Sequence, residues 1–257
     1  MKITLFSSNQ SRHINFANKL SKIADETYFV SEIKTLFPGV LKDFYEKDDT
    51  FQNYFLKVKA SEEKIFSGIN FLSDRIKTLP IKLGDLSYLS ETYLSECLDS
   101  DIFIVFGSSY IKGWLADYLI NKKAINIHMG LSPYYRGSAC NFWALYDYSP
   151  EYVGATIHLL SKGLDSGDIL FHSVPTYVET DSAFDFSMRA VQSAHNDLIR
   201  CINQELIFEI QPKPQNKENE IRYSRYEDFN KDVAKEFLNR KTDYSFKNLH
   251  YPDLYLI

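Results

Sequence analysis

The sequence is poor in cysteine, with three in 257 residues, and it contains no long uninterrupted apolar run. Cys97, Cys140 and Cys201 are too few and too widely spaced for a disulfide framework or a zinc knuckle, so we expect reduced thiols in a cytoplasmic protein. No stretch approaches the roughly 18 apolar residues that a membrane-spanning helix needs. The opening MKITLFSSNQ has too short an apolar stretch for a signal peptide and is expected to form a first buried strand.

An excess of basic charge is also absent. The 29 lysines and arginines are outnumbered by 34 acidic residues, which gives a net charge of −5. This balance argues against a nucleic-acid-binding protein that neutralises many phosphates. The hydrophobic fraction of 44% and the charged fraction of 25% are ordinary for a soluble globular chain of this length.

The order of apolar segments predicts an α/β fold. A strand at Lys2–Phe6, a helix at Arg12–Ile23 and a strand at Thr27–Val30 are typical of a parallel sheet. The apolar run Asp101–Phe106 is typical of a strand that is buried on both faces. Further strands are expected at Ala124–His128, Val153–Leu160 and Ile169–Val174, and helices at Glu91–Leu98, Lys112–Asn121, Cys140–Tyr146 and after a cap at Asp181 or Ser182.

Two regions carry less information. Residues 40–78 are rich in charged and aromatic residues and are expected to be helical, whereas Leu79–Leu89 is expected to be a loop because of Pro80 and Gly84. After Phe208 the composition becomes polar and proline-containing. We therefore predict one α/β domain over residues 1–208 and a C-terminal arm or appendage over 209–257, which could serve dimerisation.

Asn126 and His128 form the first candidate site. Residues i and i+2 of a strand point to one face of a sheet, so both side chains are expected at the carboxyl end of the strand 124–128. Ligands of open α/β sheets bind at that end. An amide beside an imidazole suits oxyanion stabilisation and proton transfer. The alternative is structural, with Asn126 capping a turn and His128 hydrogen-bonded in the core.

Asp165 lies in the second candidate site, the segment GLDSGD at Gly163–Asp168. Gly163 and Gly167 are expected to permit tight turns around it. A carboxylate held near an imidazole can orient the ring and raise its basicity. The alternative is an Asx-turn without chemistry, and Asp168, at the start of a strand, favours a structural role.

The loop Gly130–Gly137 (GLSPYYRG) is the third candidate, because an aromatic and basic loop with glycine hinges could hold a flat anionic ligand. Its alternative is a surface loop in which Arg136 forms an ordinary salt bridge. His158 and His172 lie within strand patterns and are expected to be structural. No His, Cys and Asp residues show metal-ligand spacing, and the GSSY segment after the strand at 101–106 is not the elbow of a serine hydrolase.

Together these motifs resemble those of the folate-dependent formyltransferases. That family includes glycinamide ribonucleotide formyltransferase, methionyl-tRNA formyltransferase and the nucleotide-sugar N-formyltransferases. Its pattern is Asn-x-His at a strand end, a Leu-Pro-x-x-Arg/Lys-Gly loop, and Gly-Val/Leu-Asp-Thr-Gly-Asp. Here these stand as Asn126–His128, Leu131–Gly137 and Gly163–Asp168, and Val153–His158 is similar to the family's Gly-Val-Thr-Ile strand. The strong resemblance covers about residues 101–175, and a weaker topological one extends from residue 1.

The resemblance implies a Rossmann-like formyltransferase core, with a mostly parallel sheet and helices on both faces. It implies 10-formyltetrahydrofolate as the formyl donor, an amine as the acceptor and no metal. Asn126 and protonated His128 would stabilise the oxyanion, while Asp165 would hold His128 and help to move the proton. Donor contacts are expected from Phe106, Gly107, Tyr110, Ile111, Leu131, Leu160, Gly163, Leu164 and Asp168. Acceptor contacts are expected from Ser132, Tyr135, Arg136 and Trp143.

Departures from the family pattern narrow the acceptor. The phosphate loop S-G-N-G-S of glycinamide ribonucleotide formyltransferase is replaced by SSNQS at Ser7–Ser11, without glycine, although Arg12 and His13 could still meet a phosphate at the helix N-terminus. Methionyl-tRNA formyltransferase carries a sizeable C-terminal domain, whereas 50 residues follow Ile207 in this acidic chain, so tRNA is not expected. Formyltetrahydrofolate hydrolases carry an additional N-terminal domain, whereas this sequence starts in the sheet.

The expected function is therefore formyl transfer to a nucleotide-linked amino sugar, such as a dTDP-4-amino-4,6-dideoxy sugar, for surface polysaccharide (lipopolysaccharide or O-antigen) biosynthesis by a homodimer. Asn141–Trp143 and Ile221–Tyr226 are compatible with that group. The alternatives are transfer to another small amine or nucleotide precursor, hydrolysis of formyltetrahydrofolate, and a folate-binding protein without catalysis. Neither a nucleic acid nor a membrane is an expected partner.

Overall fold

A computed structural model describes residues 1–35, 48–68, 71–240 and 244–257. Its centre is a seven-stranded sheet in the order β3-β2-β1-β4-β5-β7-β8. The strands are β1 (Lys2–Ser8), β2 (Glu26–Ile33), β3 (Ile76–Lys82), β4 (Ile102–Val105), β5 (Ile125–His128), β7 (Ala155–Leu159) and β8 (Ile169–Ser173). The first five are parallel, and β7 and β8 are antiparallel to their neighbours.

Helices cover both faces of the sheet, which confirms the predicted architecture. On one face lie α1 (Ser11–Leu20), α2 (Asp49–Phe66) and α6 (Ala183–Asn203), whose apolar side chains join a core around Leu5, Ile104 and Ile157. On the other face α3 (Glu91–Leu98) and α4 (Trp114–Asn121) pack against Phe103 and Val105. Strands enclosed in this way read as continuous apolar runs, which is why β4 was recognisable from sequence.

The predicted N-cap of the long helix α6 is resolved in favour of Ser182. Its hydroxyl accepts a hydrogen bond from the Asp185 amide, and the Asp185 carboxylate accepts one from the Ser182 amide, which forms a capping box. This cap fixes where α6 begins beside the sheet. Ser187 and Val191, on the turns that follow, face the cavity described below.

One expectation about the first half of the chain is wrong. The sequence predicts a helix up to residue 78 and a loop from Leu79 onward, but residues 76–82 form the edge strand β3. Pro80 is tolerated there because an edge strand leaves one row of backbone groups without a neighbouring strand. Helix α2 confirms helical structure over 49–66, whereas the described residues 67–68 and 71–75 are not helical. Positions 40–47 and 69–70 of the predicted helical region lie outside the described residues.

The C-terminal segment folds back onto the same domain. Strand β9 (Arg222–Ser224) pairs with the short strand β6 (Tyr135–Gly137), and α7 (Lys231–Asn239) joins α5 (Cys140–Tyr146) in a second apolar cluster. Near the end of the chain, the Tyr255 carbonyl accepts a hydrogen bond from the His172 amide. In the described ranges, none of the helices is both long and apolar enough to cross a membrane.

Candidate active site

A cavity of about 550 Å³ opens at the carboxyl ends of β4 and β5. This volume lies within the usual range for small-molecule sites. Two loops form one end of it, residues 107–111 after β4 and residues 160–165 after β7. Helices α2, α5 and α6 form the other end, with Tyr54, Phe55, Val58, Phe142 and Val191.

His128 and Asp165 form an ion pair in the wall of this cavity. The distance from His128 Nδ1 to Asp165 Oδ2 is 3.2 Å, and His128 is only 7% exposed. Burial opposes a charge on the ring, but the neighbouring Asp165 carboxylate outweighs it and raises the pKa of His128 well above its usual value. Burial likewise opposes the charge on Asp165, yet the imidazolium beside it holds the pKa of Asp165 below its usual range. The pair is therefore charged at neutral pH.

Asn126 completes the predicted trio, and a fourth residue joins it. Asn126 Nδ2 lies 3.3 Å from Asp165 Oδ1 and 2.9 Å from His158 Nε2. Asn126 and His158 are directly opposite each other in the antiparallel pair β5–β7, so their side chains leave the sheet on the same face. The structure thus brings together the three predicted catalytic residues with His158, which the sequence analysis set aside as structural.

The loop that carries Asp165 is shaped differently from the expectation. The left-handed backbone belongs to Asp165 itself, with φ of 45°, a conformation that aspartate tolerates better than most residues. Gly167 is needed for another reason, because a Cβ there would lie 1.7 Å from the Leu159 carbonyl oxygen. Close contact between the loop and the end of β7 thus directs the Asp165 carboxylate towards His128.

A buried carboxylate holds the loop 107–111 in the wall of the cavity. Glu32, at the end of β2, is fully buried and accepts hydrogen bonds from the Ser109 amide (2.5 Å), the Ser109 hydroxyl (2.7 Å) and the Gly84 amide (2.9 Å). In the same loop, the Tyr110 hydroxyl donates to the Lys162 carbonyl oxygen at 2.9 Å, which connects the two loops. These contacts fix the loop 107–111 relative to the sheet and to Asp165.

Most of the predicted donor-contact residues line the cavity, and two do not. Those in the lining are Phe106, Gly107, Tyr110, Ile111, Leu160, Gly163 and Leu164. Leu131 is instead fully buried in the second apolar cluster. Asp168 is exposed outside the lining, and its carbonyl oxygen accepts a hydrogen bond from the Leu159 amide.

The predicted acceptor contacts lie elsewhere, because the loop 130–137 packs as core. Ser132 is fully buried, and its carbonyl oxygen lies 2.8 Å from His172 Nε2. Tyr135 is 1% exposed, and Trp143 is covered by the Arg222 guanidinium, 3.7 Å from the ring centre. Arg136 is buried and paired with Glu220 at 2.8 Å. None of these four side chains reaches the cavity in this structure, contrary to the expectation of a ligand-holding loop.

Tyr54, Phe55 and Val58 line the cavity but were missed from sequence. Arg12, which the sequence offered as a phosphate contact, also lines the cavity and pairs with Glu62 at 2.8 Å. Cys140 packs behind His128, with its Sγ 3.5 Å from His128 Nε2. Only the position of Cys140 a few residues after the Arg-Gly dipeptide could have hinted at this contact. Within the described residues, no group of three or more His, Cys, Asp or Glu side chains could hold a metal ion.

Part of the chain is similar to known formyltransferases. The sequence model of the family described as formyl transferase matches residues 115–202. Methionyl-tRNA formyltransferase of Desulforamulus reducens is 31% identical over 118 residues, which is 46% of this chain and 33% of that protein. The matches thus span about a third of the length of these curated relatives.

Solved structures share the fold at low sequence identity. An N-formyltransferase from Helicobacter canadensis, in complex with folinic acid and dTDP-3-aminofucose, gives a TM-score of 0.53 at 15% identity, covering 90% of this chain and 73% of that chain. A 4-N formyltransferase from Francisella tularensis gives 0.52 at 19% identity, covering 89% and 77%. These similarities show that the chain has the formyltransferase fold.

Proposed function

We propose that this chain, whose residues 115–202 match the sequence model of the formyl transferase family, transfers a formyl group from 10-formyltetrahydrofolate to the amine of a nucleotide-linked amino sugar. The observation that carries the proposal is the charged His128–Asp165 pair beside Asn126, in the wall of a ligand-sized cavity. A protein that only binds folate has no need of this arrangement.

The donor fits the end of the cavity formed by residues 107–111 and 160–165. Gly107 and the backbone of both loops line this end, and Glu32 holds one of them in place. When bound, 10-formyltetrahydrofolate supplies an activated formyl carbonyl. Phe106, Ile111 and Leu160 provide apolar surface for a flat ring system.

The chain's own residues stabilise the negative charge that develops on the formyl oxygen and assist the transfer of one proton from the amine. The Asn126 amide and the positive charge of the His128 imidazolium stabilise the formyl oxygen as the amine lone pair forms the new C–N bond and the carbonyl electrons move to oxygen. The electrons on the oxygen then re-form the carbonyl double bond as the C–N bond to the donor breaks with its electron pair on the donor nitrogen, and that nitrogen takes up the proton released by the amine. Asp165 keeps His128 charged and oriented, and the pair assists this proton transfer.

The acceptor end of the cavity favours a sugar over a phosphorylated amine. Its wall is aromatic and aliphatic, and Arg12 is bound by Glu62 through both its backbone amide (3.0 Å) and its guanidinium (2.8 Å). An ion-paired arginine has less attraction left for a phosphate, whereas the apolar wall suits the methyl face of a deoxy sugar. The acceptor's amine would enter here, with its nucleotide extending outward.

Methionyl-tRNA as acceptor is the second candidate, because the matching curated relatives carry that name. Their matches cover only 118 to 141 residues. Matches of this length support formyl transfer more strongly than they support a particular acceptor. The net charge of −5 argues against a tRNA partner, because binding a tRNA requires the neutralisation of many phosphates. We further propose that the enzyme acts in the cytoplasm, in surface polysaccharide biosynthesis, as a homodimer whose contact surface includes the exposed Ile221, Tyr223 and Tyr226.

The test is an acceptor screen. The protein is incubated with 10-formyltetrahydrofolate and nucleotide-linked amino sugars, other small amines or methionyl-tRNA, with a no-acceptor control, and products are read by mass spectrometry. A formylated amino sugar is the expected product. Formylation of another acceptor alone would contradict the sugar, and formate released without acceptor would identify a hydrolase. Folate binding without turnover in any arm would contradict an enzyme.

A further inference from the structure

Gln215 lies in the polar segment 211–217 of the C-terminal arm and is not among the residues that line the cavity. Its side-chain amide nevertheless contacts the backbone of the loop that carries Asp165. We propose that Gln215 is a positioning residue, which holds the turn at Asp165 so that the carboxylate faces His128. Its effect on turnover rests on the proposed function, whereas its effect on the His128–Asp165 pair does not.

The amide nitrogen of Gln215 donates both of its hydrogens to this loop. Nε2 lies 2.9 Å from the Asp165 carbonyl oxygen and 2.8 Å from the Gly167 carbonyl oxygen. A backbone carbonyl oxygen can only accept a hydrogen bond, so the nitrogen rather than Oε1 must face both atoms. The orientation of the Gln215 amide therefore follows from two backbone oxygens and does not depend on the protonation of a neighbouring group.

The pairing of the arm with β8 brings Gln215 to this position. Lys213 and Ile169 form an antiparallel bridge, in which the two amides donate to the opposite carbonyl oxygens at 2.7 Å and 2.9 Å. Continued by two residues in each strand, this register places Gln215 opposite Gly167. Among residues 211–220, all of which the structure describes, Gln215 alone is not exposed. The arm thus turns one side chain inward, and that side chain meets the Asp165 loop.

The turn at Asp165 has a backbone conformation that needs support. Its φ of 45° lies in the left-handed region, which residues with a Cβ rarely occupy. Such a conformation persists where surrounding contacts hold it. The contacts of Asp165 with Asn126 and His128 involve its carboxylate. Gln215 holds the backbone of the same residue, and it thereby fixes the point from which the carboxylate reaches His128.

Displacement of this turn would act on the charge of His128. The titratable groups in contact with the ion pair are Cys140, with Sγ 3.5 Å from His128 Nε2, and His158, with Nε2 3.8 Å from Asp165 Oδ1. Asp165 is the carboxylate that raises the pKa of His128. Because the attraction between opposite charges weakens with distance, moving this carboxylate away lowers the pKa of His128. Gln215 acts on the imidazolium only through Asp165.

Gln215→Met and Gln211→Met form a matched pair, because methionine has the length of glutamine but no N–H to donate. Gln211 is exposed, and its Nε2 lies 3.4 Å from the Glu209 carbonyl oxygen within its own segment. We expect Gln215→Met to lower kcat at saturating substrates by about 10- to 100-fold, in the range known for catalytic groups misplaced by about 1 Å. Gln211→Met should keep the kcat and the pH–rate profile of the wild type.

The pH–rate profile separates positioning from a general loss of folded protein. If the carboxylate moves away from His128, the imidazolium needed for activity is lost at lower pH. The basic limb of Gln215→Met should therefore move to lower pH by about one pH unit. A loss of folded protein would instead lower kcat equally at every pH. A basic limb that stays in place in Gln215→Met would overturn the proposal, as would the same movement of the limb in Gln211→Met.

An NMR titration of His128 tests the same contact without turnover. The ring signals of His128, assigned through His128→Gln, are followed with pH in the wild type and in Gln215→Met. We expect the pKa of His128 to be about one pH unit lower in the variant. An equal pKa in the two proteins would overturn the positioning role. If the wild type transfers no formyl group but the pKa of His128 still falls in Gln215→Met, the proposed function fails and the positioning role stands.

Discussion

Two buried histidines of this chain, His128 and His195, have opposite charge states in similar burial. His195 is fully buried on α6, stacked on Phe16 with ring centres 4.2 Å apart. Within the part of the chain that the structure describes, neither of its ring nitrogens has a hydrogen-bond partner, and burial holds the pKa of His195 well below its usual value. His128 is nearly as buried, yet its pKa is raised because Asp165 lies 3.2 Å from its ring.

The difference shows that a neighbouring carboxylate, rather than burial alone, separates the pKa of His128 from that of His195. The two clusters are adjacent, because Phe106 lines the cavity and also packs edge-on against His195, with ring centres 4.9 Å apart. An uncharged aromatic layer thus lies directly behind the charged site. A low-dielectric surrounding of this kind strengthens the ion pair.

The largest expected effect comes from replacing Asp165, whose carboxylate raises the pKa of His128. Asp165→Asn should lower kcat about 10³-fold, since oxyanion donors and acid–base groups each contribute 10²-fold or more. His128 then loses the charge that raised its pKa. The imidazolium needed for activity would disappear at lower pH than in the wild type, so the basic limb of the pH–rate profile should move to lower pH.

Asp168→Asn is the matched control for that change, because Asp168 is in the same loop but exposed. It should keep both kcat and the pH profile of the wild type. A pH profile of Asp165→Asn that coincides with that of the wild type would contradict the assignment of the basic limb to His128.

A buried acid without a cation in the described structure extends the comparison. Glu32 is as buried as His195, but three hydrogen-bond donors satisfy it. Glu32→Gln replaces one acceptor oxygen by a donor and should loosen the loop 107–111. We expect the KM of the donor to rise about tenfold, equivalent to about 1.4 kcal/mol, with kcat within about twofold. Steady-state kinetics with each substrate varied would test this.

The control for Glu32 is Glu26→Gln on the same strand, where the carboxylate is partly exposed and accepts from the Tyr28 hydroxyl. It should leave both KM values unchanged. An equal rise in donor KM for both variants would mean that the effect comes from β2 in general rather than from the contact with Ser109.

His195→Leu tests the uncharged member of the pair through stability. Removing two unpartnered ring nitrogens should raise the free energy of unfolding by about 1 kcal/mol at pH 7.5. Below about pH 6.5 the unfolded chain binds a proton at His195 that the folded chain excludes, so wild-type stability falls with decreasing pH. The advantage of the variant should therefore grow at pH 5.5, as measured by urea unfolding.

His172→Leu is the control for this stability effect. His172 is also buried, and burial lowers its pKa, but its Nε2 lies 2.8 Å from the Ser132 carbonyl and its Nδ1 accepts from the Tyr255 amide. Its loss should destabilise the fold by about 1–3 kcal/mol because partners are left unsatisfied. Equal destabilisation by His195→Leu and His172→Leu would contradict the explanation that the unpartnered ring nitrogens of His195 lower the stability of the wild type.

The smallest expected effect concerns a hydrogen bond at the solvent-exposed edge of the cavity, where no buried charge is involved. Tyr110→Phe removes the hydrogen bond to the Lys162 carbonyl from a side chain that is 59% exposed. Exposed hydrogen bonds contribute little, so the donor KM should rise only about twofold. A change as large as that of Glu32→Gln would reverse the ranking of buried over exposed contacts.

The sequence predicted those features that depend on local pattern. Helices α3 and α5 have the predicted bounds, because apolar spacing is a local signal. Strand alternation predicted that the side chains of Asn126 and His128 lie together at the carboxyl end of β5. The edge strand β3 was missed because Pro80 and Gly84 are also typical of loops.

The remaining features depend on contacts between distant segments. Glu32 and Ser109 are 77 positions apart, and their contact requires the order of strands β2, β1 and β4. His158 became a site residue only through its antiparallel register opposite Asn126. The loop 130–137 has the composition of an exposed ligand loop, but pairing with β9 and packing beneath the C-terminal segment bury it.

The pairing of β5 with β7 separates two kinds of evolutionary change. Asn126 and His158 face each other across this register, so a one-residue insertion in either strand would turn one of them to the opposite face. The end of the cavity where we propose that the acceptor binds is built from side chains of α2, α5 and α6, and these can be exchanged singly without altering that register. A point substitution there can therefore change the shape of the cavity, whereas a change in the register of β5 and β7 would separate Asn126 from His158.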